Sequence, residues 1–318
     1  GETIEECEKT VKQLDMGGVG SILDYSIEGE DDEKVFDETC EEIMRTIIRA
    51  DGDNRIPFAV FKPTGLGRFA LLEKMDAGET LNEEEKAEFQ RMQSRVNQIC
   101  EIAHRMGITV MIDAEKSWIQ NTIDALVMDM MRRYNTDKPI VYNTYQLYRK
   151  DKLASLITDI QRAESGHFML GAKLVRGAYM EIERQRALDN NYPSPIHENK
   201  AATDRDYDEA MRFCISRIGS TAFLAGTHNQ ESCRVLAELL DQKQVAHDHK
   251  HVYFSQLLGM SDNLSFNLAA AGYNVAKYVP YGPIEAVMPY LFRRAEENTS
   301  VAGQMGRELS LIAKEKKR

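Results

Sequence analysis

The chain has 318 residues and a formal net charge of −11 at pH 7, because 51 acidic side chains outnumber 40 basic ones. With 42% hydrophobic residues it can bury a substantial core, which excludes disorder as a description of the whole chain. The acidic balance argues against a general nucleic-acid binder, and no apolar run reaches the roughly 18 residues of a membrane-spanning helix. Five widely spaced cysteines without a Cys-x-x-Cys pair indicate a reducing compartment. We interpret the start at Gly1 as a trimmed N-terminus.

Eight short runs rich in apolar, β-branched and aromatic residues recur along the chain and predict strands. They are nearly continuous rather than alternating, which is typical of parallel strands covered on both faces. In chain order they are Val19–Tyr25, Ile56–Lys62, Ile108–Asp113, Ile140–Tyr145, Gly171–Arg176, Thr221–Thr227, Val252–Leu257 and Val275–Val279.

The segments between these runs have helical periodicity. Between Phe89 and Met106, apolar residues recur at alternating steps of three and four, with Asn82 as a predicted N-terminal cap and Gly107 as a predicted stop. Shorter patterns repeat over Arg212–Ser216 and Ser232–Leu240. Strand followed by helix, eight times, predicts a single (β/α)8 barrel domain over residues 1–318, with a doubly wound sheet as the alternative.

Polar side chains follow nearly every predicted strand. The loops at the carboxyl ends of barrel strands form one mouth, where such enzymes carry their chemistry. The residues that should converge there are Lys62, Asp113, Ala114, Glu115, Gln146, Arg176, Gly177, Ala178, Tyr179, Thr227, His228, Asn229, Gln256 and Tyr278. Lys62 ends an apolar run, and burying its charge requires a partner or a ligand.

A last helix is predicted after Gly282-Pro283, with a kink at Pro289. Its neighbouring Arg293 and Arg294 point about 100° apart around the helix axis. They form either a solvated face or an anion clamp over the barrel mouth, and the residues alone leave both interpretations open. The histidines at 247, 249 and 251 are interpreted as surface residues, and no metal site is predicted.

Six motifs, in one order, resemble the flavin-dependent proline dehydrogenase family. They are IDAEKSW (112–118), NTYQLY (143–148), AKLVRGAYMEIER (172–184), GTHN (226–229), FSQLLGM (254–260) and KYVPYGPIEAVMPYLFRRAEEN (277–298). The resemblance extends from about Gly18 to Asn298. It is closer to the single-function enzymes than to the bifunctional proline-utilisation proteins, because no aldehyde dehydrogenase module follows.

The resemblance implies a distorted (β/α)8 barrel that binds FAD non-covalently, with the last helix lying over the active-site mouth. The implied reaction is oxidation of L-proline to Δ1-pyrroline-5-carboxylate by hydride transfer to FAD, with the electrons passed to a membrane quinone. It also implies a cytoplasmic protein in peripheral contact with the inner membrane, or one on the matrix side of the mitochondrial inner membrane in a eukaryote.

The resemblance further assigns roles to individual residues. Lys62, Arg293 and Arg294 would hold the proline carboxylate, while Tyr179, Leu257 and Tyr278 would pack its ring. Asp113 matches the family's active-site aspartate. Lys173 stands where many bacterial members carry an arginine beside the reactive flavin nitrogen, and lysine lacks the planar fork of arginine. The implied flavin contacts are Ala114, Gln146, Val175, Arg176, Gly177, Ala178, Thr227, His228, Asn229 and Gln256.

Three alternatives remain open at this stage. Lys62 or Lys173 could be the Schiff-base lysine of an aldolase-like barrel. The barrel could instead be a binding or scaffolding module without catalysis. Within the resembled family, 4-hydroxyproline is a rival substrate, although Tyr278 should crowd a ring hydroxyl and therefore favours proline.

Overall fold

In a computed structural model the chain folds into a closed barrel of eight parallel strands in sequence order. The structure describes residues 1–25, 27, 31–285 and 287–288. The strands are β1 (Gly20–Tyr25), β2 (Phe58–Phe61), β3 (Thr109–Ile112), β4 (Val141–Gln146), β5 (Leu170–Val175), β6 (Thr221–Gly226), β7 (Val252–Leu257) and β8 (Val275–Tyr281). β1 pairs with β8 from Gly20 opposite Ala276 to Tyr25 opposite Tyr281, which closes the barrel. The prediction of a barrel is confirmed, and the doubly wound sheet is wrong because such a sheet has open edges.

Helices surround this barrel. They are α1 (Ile4–Asp15), α2 (Glu33–Ala50), α3 (Phe69–Asp76), α4 (Glu83–Met106), α5 (Ser117–Tyr134), α6 (Lys152–Gly166), α7 (Met180–Asp189), α8 (Lys200–Ser216), α9 (Gln230–Gln242) and α10 (Asp262–Ala270). The predicted ends of α4 are confirmed, since Asn82 and Glu85 form a reciprocal capping box and Gly107 ends the helix at a φ of 69°. Within the described residues, no helix combines the length and apolar composition needed to cross a bilayer.

α1 precedes the barrel in sequence and packs against both β1 and β8. It buries Cys7, Val11 and Leu14 in the main hydrophobic core. The predicted helix after β8, over residues 284–298, falls largely on residues that the structure does not describe, so Pro289, Arg293 and Arg294 lie outside the described residues.

The barrel interior changes character along its axis. Apolar side chains fill the interior below the mouth, among them Ile22, Val60 and Met111. Two residues further along the chain come Asp24 within β1, Lys62 just after β2 and Asp113 just after β3, and the alternation of an extended chain puts each on the same face. A layer of apolar side chains therefore lies beneath a layer of charged side chains at the carboxyl ends of the strands.

Candidate functional site

The centre of the mouth is a buried ion pair. Lys173 on β5 places its Nζ 2.6 Å from Oδ1 of Asp113, and the same Nζ lies 4.4 Å from the ring centroid of Tyr278. Burial lowers the pKa of Lys173, and the negative charge of Asp113 opposes this effect. Asp24 also acts to raise the pKa of Lys173, whereas the positive charge of Lys62 acts to lower it. Two cations and two anions thus share the end of the barrel.

The residues expected to bind a small ring lie at the same end of the barrel. Leu257 at the end of β7 lies opposite Tyr278 in the register, and the Tyr278 hydroxyl donates to Sδ of Met111 at 3.8 Å. Lys62 follows β2 directly and is buried. Tyr179, also buried, is the residue before the first turn of α7. These side chains all belong to the mouth, while Arg293 and Arg294 lie outside the described residues.

A second cluster, around Arg176, lies at the ends of β5 and β6. The guanidinium donates to Oδ1 of Asp204, to Oγ1 of Thr227 and to Oγ of Ser232, at 2.7, 2.7 and 2.9 Å. Oγ1 of Thr227 also accepts a hydrogen bond from the backbone N–H of Asn229, whose side chain caps α9. A cation therefore lies beside the N-terminus of a helix, where partial positive charge favours anions.

Between the two clusters the backbone after β5 passes very close to its neighbours. Gly177 has a φ of 137°, and a Cβ there would lie 2.5 Å from ring atoms of Tyr148. The backbone N–H of Ala178 donates to Oε1 of Gln146 at 3.4 Å, and Nε2 of Gln146 donates to the carbonyl of Glu115 at 2.7 Å. The absence of a side chain at 177 thus leaves room for the Tyr148 ring to pack against the backbone at this turn.

The remaining predicted residues line the same mouth. Gln256 donates to the carbonyl of Thr227 at 3.1 Å, and Nδ1 of His228 lies 3.0 Å from Oγ of Ser261 in the loop after β7. Ala114 is buried beside Asp113, and Val175 lies opposite Gln146 in the register.

Three further acidic residues lie at the mouth, of which the sequence analysis predicted only Glu115 there and assigned it no role. The apolar residues around Asp24 predict only a strand. Its position near the carboxyl end of that strand is nevertheless a sequence signal for a residue at the mouth. Glu115, noted only as a strand-end residue, accepts hydrogen bonds from the backbone N–H and the hydroxyl of Thr64 at 2.9 and 2.8 Å. Glu183 is fully buried on α7 and contacts Ser117, which is 66 residues away in sequence. Nothing local in the sequence reveals that last contact.

The histidine series is separate from the mouth. Nε2 of His247 lies 2.8 Å from Oδ1 of Asp241, and its ring stacks on Tyr273 at 4.2 Å. His249 and His251 precede β7, at the end of the barrel opposite to the mouth. Among the residues that the structure describes, no group of three potential ligands is arranged to hold a metal ion.

Comparison with known proteins adds a family match. The family model described as "Proline dehydrogenase" matches residues 7–307. The chain is 36% identical over 315 residues to the carbapenem antibiotics biosynthesis protein CarD of Pectobacterium carotovorum subsp. carotovorum, covering 99% of this chain and 81% of that protein. It is 38% identical over 233 residues to proline dehydrogenase 1, mitochondrial, of Homo sapiens, covering 72% of this chain and 39% of that protein.

Solved structures share the fold. Proline utilization A (PutA) from Bdellovibrio bacteriovorus, inactivated by N-propargylglycine, superposes with a TM-score of 0.84 at 19% identity. The match covers 95% of this chain and 32% of that chain. The chain thus spans about a third of PutA and 39% of the human mitochondrial relative.

Proposed function

The chain belongs to the proline dehydrogenase family, and on this premise we propose that it oxidises L-proline to Δ1-pyrroline-5-carboxylate. One observation carries the proposal: the Lys173–Asp113 pair lies against the Tyr278 ring inside a mouth that also contains Lys62 and Leu257. This arrangement combines a cation for a carboxylate with apolar walls for a small ring. We also propose that residues 1–318 form one domain.

Substrate binding is assigned to the side chains at the end of the barrel. Lys62, with Arg293 and Arg294 outside the described residues, would hold the carboxylate by charge-assisted hydrogen bonds. Tyr179, Leu257 and Tyr278 would hold the pyrrolidine ring and exclude water from it. Asp113 would keep the Lys173 ammonium in place, because a buried charge without its partner is costly.

FAD is the proposed cofactor. The residues present fit it, because the guanidinium of Arg176 beside the N-terminus of α9 suits an anionic diphosphate. Lys173, Gln146, Val175, Ala178 and Ala114 would contact the ring portion. Thr227, His228, Asn229 and Gln256 would contact the remainder.

The protein's part in the reaction is positioning and electrostatics. When bound, FAD supplies the acceptor for the hydride from the ring carbon next to the nitrogen. The substrate amine must be unprotonated for hydride to leave, so its proton departs to solvent first. Lys62 and the ring-packing side chains then keep that carbon in one orientation.

We propose a membrane quinone as the electron acceptor and, with it, peripheral contact with the inner membrane, on the cytoplasmic side or on the matrix side in a eukaryote. The family membership supports this part. It is tested by proline-dependent reduction of a soluble quinone analogue and by co-sedimentation with lipid vesicles. Failure of both would exclude the quinone and the membrane contact while leaving proline oxidation intact.

The deciding experiment is a visible absorption spectrum of the purified protein under anaerobic conditions, before and after addition of L-proline. Flavin bands that bleach with proline would support the cofactor, the substrate and the reductive reaction together. Flavin bands that stay oxidised would exclude proline and direct attention to 4-hydroxyproline or another amine. A colourless protein that FAD does not reconstitute would overturn the proposal.

A Schiff-base lysine is the second candidate function, because burial lowers the pKa of Lys173 and so favours the nucleophilic amine. The ion pair with Asp113 argues against it, since that contact stabilises the ammonium form. Borohydride reduction in the presence of a carbonyl substrate, followed by mass spectrometry of Lys173 and Lys62, separates the two functions.

A further inference from the structure

Helix α7 forms part of the mouth, yet little of its apolar surface is buried. Met180, Ile182 and Leu188 are 41%, 49% and 76% exposed. Within α7 only Glu183 and Ala187 are buried, and Glu183 is fully so. A carboxylate removed from water is costly unless it is hydrogen-bonded, so the contacts of Glu183 account for its place in the fold.

Glu183 caps another helix. Its two carboxylate oxygens accept hydrogen bonds from the backbone N–H and the hydroxyl of Ser117, both at 2.6 Å. Ser117 is the first residue of α5, and the preceding Lys116 provides no side-chain cap. The carboxylate therefore satisfies an N–H group that the helix leaves unbonded, and it meets the positive end of the helix dipole.

The same contact fixes Tyr179. The backbone N–H of Glu183 donates to the carbonyl of Tyr179 at 2.9 Å, so the carboxylate anchors the first turn of α7. Lys116 adds a contact from the α5 side, with its Nζ 6.0 Å from the centroid of the Tyr179 ring. The segment before Tyr179 contains Gly177, whose φ of 137° is not helical. The helix therefore does not continue on the N-terminal side of Tyr179 and cannot hold the residue from there.

We propose that Glu183 is a positioning residue for the substrate: by joining the first turn of α7 to the N-terminus of α5, it orients Tyr179 toward the ring of the bound substrate. The inference rests on the proposed function, in which Tyr179 packs that ring. Loss of the Glu183 contact then loosens one wall of the substrate site without touching the flavin contacts. Binding of the ring should weaken while the chemical step keeps its rate.

The test uses Glu183→Gln, which leaves one good acceptor oxygen, and Ser117→Ala, which removes only the hydroxyl contact. The matched control is Tyr145→Phe, which removes a buried hydrogen bond of 3.0 Å to Asp159 on the outer side of the barrel. For each protein the flavin content, the KM and kcat for L-proline, and the Kd of tetrahydro-2-furoate are measured. That analogue has oxygen in place of the ring nitrogen, so it reports binding without turnover through the flavin spectrum.

We expect Glu183→Gln to raise KM and Kd about tenfold, with kcat within about twofold of wild type and the flavin content unchanged. Ser117→Ala should give a smaller rise in the same direction, and it decides the matter if Glu183→Gln does not fold. Tyr145→Phe should change neither constant. In a Tyr179→Ala background, Glu183→Gln should have no further effect on Kd, because the wall that it orients has been removed.

An unchanged Kd in both variants, an equal rise in the Tyr145→Phe control, or full additivity with Tyr179→Ala would overturn the inference. These outcomes are distinct from failure of the proposed function. If L-proline does not bleach the flavin of the wild-type protein, the function fails and the inference fails with it. If the wild type is active and the variants bind as it does, only the role of Glu183 is refuted.

Discussion

Replacing Gly177 with alanine tests the close approach at the mouth. The φ of 137° lies in a region that side-chain-bearing residues avoid, and holding alanine there costs about 1–3 kcal/mol. The added Cβ would also lie 2.5 Å from Cδ1 and Cε1 of Tyr148, a buried ring with little room to retreat. Overpacking of this kind typically costs about 1–3 kcal/mol more. We therefore expect Gly177→Ala to lower the free energy of unfolding by about 2–6 kcal/mol.

Gly259→Ala is the matched control, because Gly259 also has a positive φ, 74°, but its Cβ would have nothing within 4 Å. Gly259→Ala should lower the free energy of unfolding only by the cost of a left-handed backbone for alanine, about 1–2 kcal/mol. Urea unfolding followed by circular dichroism measures both losses, and quenching of flavin fluorescence measures FAD affinity, which should fall only in Gly177→Ala. The reasoning is refuted if Gly177→Ala is as stable as Gly259→Ala and binds FAD as tightly as wild type.

Three further predictions concern charge, specificity and pH. Asp113→Asn removes the partner of the buried Lys173 ammonium and should cost about 3–5 kcal/mol of unfolding free energy at pH 7. Since the folded-state pKa of Lys173 is lowered from 10.5, and falls further without Asp113, this loss should shrink as the pH rises toward 10.5 and the amine deprotonates. Equal losses in urea unfolding at pH 7 and pH 10 would contradict this origin. Tyr278→Ser should shift the ratio of kcat/KM for 4-hydroxyproline over L-proline upward by about tenfold, since it removes a side chain that crowds the ring hydroxyl; an unchanged ratio rules that crowding out. For the wild type, kcat/KM for L-proline should increase with pH because the reactive amine must be unprotonated, and a flat profile would be evidence against hydride loss from the neutral amine.

Local sequence signals were enough to predict the barrel and most of the mouth. Strand runs are continuous stretches that need no distant partner to be recognised, and the observed strands begin and end within two residues of the predictions. The polar residues at the mouth could be predicted as well, because they are the residues at the ends of those predicted strands. The sequence analysis missed α1 although its signals are local, since Thr3 caps the helix and Cys7, Val11 and Leu14 recur at helical spacing. The contact of Glu183 was missed because its partner, Ser117, is 66 residues away in sequence. Asp24 was missed because the apolar residues around it predict only a strand.

The docking of α1 has a consequence for how the chain folds during synthesis. Residues 4–15 are synthesised long before one of their packing partners, β8, which spans residues 275–281. Contacts between such distant segments form late, because the loop between them must first be closed. The seam between β1 and β8 is therefore expected to close last, and until then α1 can pack only against β1, so the part of its apolar face that contacts β8 stays exposed. A nascent chain stalled before β8 would present that apolar face to chaperones.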